Sequence, residues 1–131
     1  MQKKIAVIGA GAIGSSVSAD LTKAGLDVTV VDQWPAQVEK LKKDGIIIRM
    51  PDIEVRTPIR ALHLGELSSE MPEFDIVLLA VKSNDHRWLT ELIKPYLKAD
   101  GVLVPVQNGF NDDSIASIIG DRKSTRLNSS H

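Results

Sequence analysis

Cysteine is absent from the sequence, aromatic residues make up only 4% of it, and no apolar run approaches the length of a membrane span. The first absence excludes disulfides and thiolate chemistry and fits a reducing compartment. The last leaves no transmembrane candidate. Lys3 and Lys4 precede only four apolar residues before the first glycine, too few for a signal-peptide core. A cytoplasmic location is the resulting expectation. Charge of one sign is also missing: 16 basic and 17 acidic residues are interspersed and leave a net charge of −1. Such a pattern offers no electrostatic footprint for nucleic acid or for an anionic membrane. The expected partner is therefore a small molecule, and nothing here signals an oligomeric state. His63, His86 and His131 lie far apart and read as ordinary surface histidines, with no metal site among them.

What the sequence does contain is organised around IAVIGAGAIG, Ile5 to Gly14. The continuous apolar run Ile5 to Ile8 predicts a strand buried on both faces, as in a parallel sheet. It empties into Gly9, Gly11 and Gly14, a G-x-G-x-x-G pattern. From Ala12 to Ala24 the apolar positions Ile13, Val17 and Leu21 recur four apart, which predicts an amphipathic helix closed by Gly25. A second strand, Asp27 to Val31, then delivers Asp32, 18 residues after Gly14. In this order the parts predict dinucleotide binding. Gly9 permits the tight turn, Gly11 lets backbone approach a pyrophosphate, and Gly14 lets helix and strand pack closely. The loop and helix start, Gly9, Ala10, Gly11, Ala12, Ile13 and Gly14, form the expected phosphate cradle, and Asp32 the acceptor for an adenosine ribose. The bland alternative is a glycine-rich turn that only packs a helix on a sheet.

Downstream, Pro35 starts a short helix with Val38 and Leu41 on one face and Gly45 at its end. Trp34, just before it, reads most simply as a packing residue, with adenine contact as the alternative. Ile46 to Met50 and Ile53 to Thr57 flank Pro51 and Asp52 and predict a hairpin. Arg60 to Phe74 carries no legible pattern. Asp75 to Val81 predicts another buried strand, delivering Lys82, Ser83 and Asn84, with Asn84 or Asp85 capping the next helix. Trp88, Leu89, Leu92, Ile93, Tyr96 and Leu97 mark that helix's apolar face, and Pro95 should kink or shorten it. Val102 to Val106 predicts a last strand, in which Pro105 argues for an edge position or a locally broken ladder. It leads to Asn108 and to a helical piece, Ser114 to Ile119. Strands alternating with helices imply an α/β fold, a doubly wound, Rossmann-like, mostly parallel sheet with helices on both faces. Residues 1–120 form one dinucleotide-binding domain in this reading. The polar stretch DRKSTRLNSSH, 121–131, reads as a disordered or artefactual tail.

IAVIGAGAIGS at the N terminus, VKS at Val81 to Ser83 and PVQNG at Pro105 to Gly109, in this order and spacing, resemble the N-terminal domain of the ketopantoate reductase (2-dehydropantoate 2-reductase) family. The resemblance implies an NAD(P)H-dependent reductase of a 2-oxo acid, ketopantoate in the first place, acting in pantothenate and coenzyme A biosynthesis. It places Lys82 beside the nicotinamide end of the cleft and Asn108 against cofactor and substrate. Catalytic residues are expected in a C-terminal helical domain that this chain stops short of. The family commonly uses NADPH. Here Asp32, followed by Gln33 and Trp34 with no arginine, stands where a 2'-phosphate would lie, so NAD(H) is the expected preference. Two other readings stand beside this one: a dinucleotide-sensing module without turnover, and another hydroxyacid dehydrogenase sharing the same first domain.

Overall fold

The computed structural model describes residues 3–106, apart from the side chain of Ser83. Asn108 and the expected helix Ser114 to Ile119 lie outside these residues. The chain runs β1 (Lys4–Ile8), α1 (Ala12–Lys23), β2 (Asp27–Asp32), α2 (Pro35–Asp44), β3 (Ile46–Arg49), β4 (Glu54–Thr57), β5 (Arg60–His63), α3 (Leu67–Glu70), β6 (Phe74–Leu79), α4 (Ser83–Ile93) and β7 (Leu97–Pro105). Five strands form one sheet in the order β5-β2-β1-β6-β7, every neighbouring pair parallel. β3 and β4 form a separate antiparallel hairpin in which Ile46 faces Thr57 and Arg49 faces Glu54. This is the expected doubly wound, Rossmann-like arrangement.

Period-two alternation along the central strands divides the core between the two faces of the sheet. Ile5, Val7, Ile76 and Leu78 pack with Val17 of α1, and Val30 and Ala61 pack with Ala19 of α1 and with Val38 and Leu41 of α2. Ala6, Ile8, Val31, Val77 and Leu79 turn to the other face, where Leu67 of α3 and Leu89 and Ile93 of α4 cover them. Strands apolar at every position are thus strands covered twice. α1 ends as the glycine predicts. Gly25 takes φ +88°, its N–H donates to Thr22 O, and Leu26 N–H donates to Leu21 O. That double bond satisfies two carbonyls at the helix end and brings Leu21 and Leu26 together on the core.

Several local expectations are corrected. The stretch without a legible pattern contains β5, an edge strand pairing with β2 from Thr29↔Arg60 to Asp32↔His63. Four residues with Ala and Leu at the centre give neither β-branched enrichment nor a run long enough to read. β6 ends at Leu79, two residues before Val81, so α4 starts earlier than expected and Lys82, not Asn84 or Asp85, is its N-cap. Asp85 lies within the first turn, and its carboxylate accepts the Trp88 indole N–H at 2.9 Å. Trp88 is 40% exposed, on the flank of the face that buries Leu89 and Ile93. Pro95 falls in a short 3₁₀ turn, Lys94–Tyr96, which ends α4 at Ile93 and puts Leu97 at the start of β7. Pro105 does lie on an edge strand among the described residues.

α2 is tied to the chain after β5 by one ion pair. The Lys42 ammonium meets both Glu66 carboxylate oxygens, at 2.8 and 2.9 Å, and one of them also accepts the His63 backbone N–H at 2.9 Å. The His63 amide first and the Lys42 ammonium second hold the Glu66 carboxyl below its ordinary value. A lowered carboxylate contributes stability above its unfolded pKa and loses it as pH falls through the folded one. Chemical denaturation of wild type and Glu66→Gln should therefore differ by a small, salt-sensitive amount at pH 7. The difference should vanish as the solution is acidified through and below the carboxylate range; a gap that persists at low pH would contradict the assignment.

Candidate dinucleotide site at the strand ends

The chain leaves β1 to connect toward β2 on one side, while β6 lies on the other, so the order of the sheet reverses between β1 and β6. Open α/β sheets bind ligands in the crevice at such a point, beyond the C-terminal ends of the strands. The glycine loop occupies it. Gly9 N–H donates to Val31 O of β2, and Ala80 N–H, just past β6, donates to Ile8 O, both at 2.8 Å. The loop is thereby pinned to both neighbours of β1.

The three glycines answer to three different constraints. Gly9 has φ +108°, and a Cβ there would lie 2.7 Å from Ala80 O and 2.8 Å from Val81 Cγ1. At Gly14 a Cβ would overlap Gly9 O and come within 3.3 Å of Ala80 Cβ. This close approach seats the first turn of α1 on the loop. Gly11 differs: its φ is −74°, which any residue adopts, and nothing lies within 4 Å of where its Cβ would be. Neither strain nor packing demands glycine there, and the open space is what a close-lying phosphate requires.

Gly11 is also the N-cap of α1, which has no side-chain cap and no acid in its first turn. Helix geometry leaves the first-turn amides unpaired, and the dipole makes them attractive to an anion. The amide of Ala10 is engaged elsewhere, donating to Asp32 Oδ2 at 2.7 Å, while Asp32 Oδ1 accepts the Trp34 N–H at 2.8 Å. Asp32 is the last residue of β2 and only 7% exposed. One carboxylate therefore ties the glycine loop to the start of α2.

Of the residues singled out from sequence, Gly9, Ala10, Gly11, Ala12, Ile13, Gly14 and Asp32 meet at the ends of β1 and β2. Lys82 is exposed, two residues beyond Ala80, at the same end of β6. Asn108 lies outside the described residues. Two structurally important neighbours were missed. Ala80 is the surface against which Gly9 and Gly14 fit, and its signal was the small residue in LLAVKS. His63 closes β5 beside Asp32 and is no ordinary surface histidine. Its Nδ1 accepts Gly65 N–H at 3.1 Å, which leaves Nε2 as the donor to Gln33 O at 2.9 Å. His86 is likewise engaged, with Nε2 2.9 Å from Val81 O. Trp34, expected to pack, is 65% exposed. A cavity of about 760 Å³, lined by Lys4, Asp27, Arg60 and Phe74 among others, lies at the opposite, N-terminal ends of the strands.

The sequence profile described as ketopantoate reductase PanE/ApbA matches residues 5–125. The chain belongs to the ketopantoate reductase family. A 2-dehydropantoate 2-reductase of Nostoc sp. is 31% identical over 119 residues, which is 90% of this chain and 36% of that protein. A glycerol-3-phosphate dehydrogenase [NAD(P)+] of Francisella tularensis subsp. novicida is 30% identical over 118 residues, 88% of this chain and 35% of that protein. Among solved structures, the ternary structure of D-mandelate dehydrogenase with NADH and anilino(oxo)acetate superposes with a TM-score of 0.72 at 26% identity, covering 88% of this chain and 37% of that one. The chain thus spans little more than a third of the length of these relatives. The family's cofactor is a nicotinamide dinucleotide.

The glycines separate folding from binding. Gly14→Ala should destabilise the chain by about 1–3 kcal/mol, as overpacking against backbone does, despite alanine's better helix propensity. Gly11→Val should stay within about 1 kcal/mol of wild type, the cost of a poorer N-cap, yet abolish dinucleotide binding. Thermal melts and calorimetric titration with NADH check both; wild-type affinity in Gly11→Val would remove the loop from the site.

Proposed function

We propose that the chain is the cofactor-binding part of an NAD(P)H-dependent 2-oxo acid reductase, with ketopantoate as substrate and pantoate as product. The observation that carries this reading is Gly11: an unstrained position with open space before it, at an uncapped helix start, in the crevice between β1 and β6. The residues present fit a dinucleotide. First-turn amides of α1 would hold the pyrophosphate. Asp32 spends one hydrogen bond on each oxygen and keeps acceptor capacity for a ribose hydroxyl. When bound, the cofactor supplies the hydride. Lys82, exposed at that end of the sheet, would pair with the carboxylate of a 2-oxo acid, and Asn108, by family resemblance, would orient cofactor and substrate. Proton donation to the developing alkoxide is assigned to the remaining two thirds of the relatives' length.

The glycerol-3-phosphate and D-mandelate dehydrogenases among the relatives support a second reading, in which the same first domain serves another hydroxy compound. Following NADH oxidation with ketopantoate and with other 2-oxo acids, in a protein of the relatives' full length carrying this sequence, separates the two. Ketopantoate should be the best substrate. Binding without any turnover would instead favour a dinucleotide sensor.

Cofactor choice follows from Asp32. Two unit charges about 4 Å apart repel by ~1–4 kcal/mol at effective dielectrics between water and a protein surface. NADH should therefore bind at least about fivefold tighter than NADPH. Because Asp32 also clamps Ala10 and Trp34, Asp32→Ala should weaken both cofactors, and the measurement to read is their ratio. Nicotinamide fluorescence titration should show that ratio narrowing; a wild type that favours NADPH would contradict the assignment.

A further inference from the structure

We infer that the Trp34 indole is the platform on which the adenine base of the dinucleotide stacks. This rests on the dinucleotide reading and adds a residue that sets how the base end is held. Three observations carry it. Trp34 is 65% exposed, against 40% for Trp88, so a flat ring stands open to a ligand beside the glycine loop. Its backbone is nevertheless fixed on every side: Trp34 N–H donates to Asp32 Oδ1, Trp34 O accepts Val38 N–H at 3.1 Å, and the carbonyl of Gln33 before it is held by His63 Nε2. An exposed ring on an anchored backbone loses little freedom when a flat ligand covers it. Finally, the carboxylate that holds Trp34 N–H also holds Ala10 N–H of the glycine loop. The Trp34 backbone nitrogen therefore sits one carboxylate's width and two hydrogen bonds from the Ala10 nitrogen of the glycine loop.

Asp32 and His63 act here as positioning residues. The base contact itself is apolar and tolerates any π face, so stacking sets affinity for the nucleoside end without reading its edge. Base-to-aromatic stacking of this kind corresponds to roughly tenfold in affinity. Truncation should leave the fold intact, because the ring is exposed and alanine keeps every backbone bond.

The test uses the 131-residue chain with NADH, ADP and inorganic pyrophosphate as probes. Trp34→Ala should lose about tenfold for NADH and ADP, keep wild-type affinity for base-free pyrophosphate, and keep its melting temperature; Trp34→Phe should recover most of the loss. In Trp88→Phe, which leaves Trp34 as the sole tryptophan, ADP should quench the emission and pyrophosphate should not. Unchanged NADH and ADP affinity in Trp34→Ala, or equal losses for ADP and pyrophosphate, would overturn the platform while leaving the dinucleotide site standing. Failure of the wild type to bind NADH at all would refute both.

Discussion

The Asp32 carboxylate, buried at the end of β2 and bonded to one amide on each side, is the constraint on which the site depends. A buried charge without partners costs several kcal/mol, and charge-assisted bonds from two backbone amides offset that cost. The two amides belong to different elements. Ala10 lies in the loop between β1 and α1, and Trp34 opens α2. Satisfying one carboxylate therefore fixes the path of the glycine loop relative to the helix that follows β2. Removing the carboxylate would orphan both amides at once, which is why its roles in geometry and in cofactor choice are inseparable.

The sheet makes this arrangement inevitable once β1 and β2 are in register. Ile8 pairs with Val31, so Gly9 and Asp32 emerge side by side at one end. On the other flank Ile8 pairs with Leu79, which brings Ala80 against Gly9 and Gly14. The loop is thus caught between a bond to Asp32 and a steric wall at Ala80. Of the three glycines, Gly11 alone is held by neither. The same parallel register sets Lys82 at that end as the N-cap of α4, while the large cavity opens at the other end of the strands.

The parts of this architecture that were legible in the sequence are those whose residues act locally. Glycine after an apolar run, Gly25 and Gly45 at helix ends, and Pro51 and Asp52 in the hairpin each impose a backbone conformation that neighbours cannot alter. Continuous apolar strands were legible because both faces are covered. What was not legible depends on partners distant in the chain. β5 is a strand because β2 offers it an edge, not because Arg60 to His63 prefers one. Trp88 stays half-exposed because Leu89 and Ile93, not Trp88, meet Ala6, Ile8 and Leu79 of the sheet. Asp32 was visible as an acid in the right place, but its two amide bonds were not, since they need the folded loop. His63 gave no signal, because its bonds to Gln33 and Gly65 arise only where β5 ends beside β2.

The proposed dinucleotide lies over the glycine loop at the C-terminal ends of the strands. Amide chemical shifts of the uniformly labelled chain, followed during titration with ADP-ribose, test it most directly. The largest shifts should fall on Gly11, Ala12 and Ile13, with Trp34 following, and residues at the other end of the sheet should stay unmoved. Shifts concentrated on Lys4, Arg60 and Phe74, with the loop amides unchanged, would place the ligand in the opposite cavity and rule out binding over the loop.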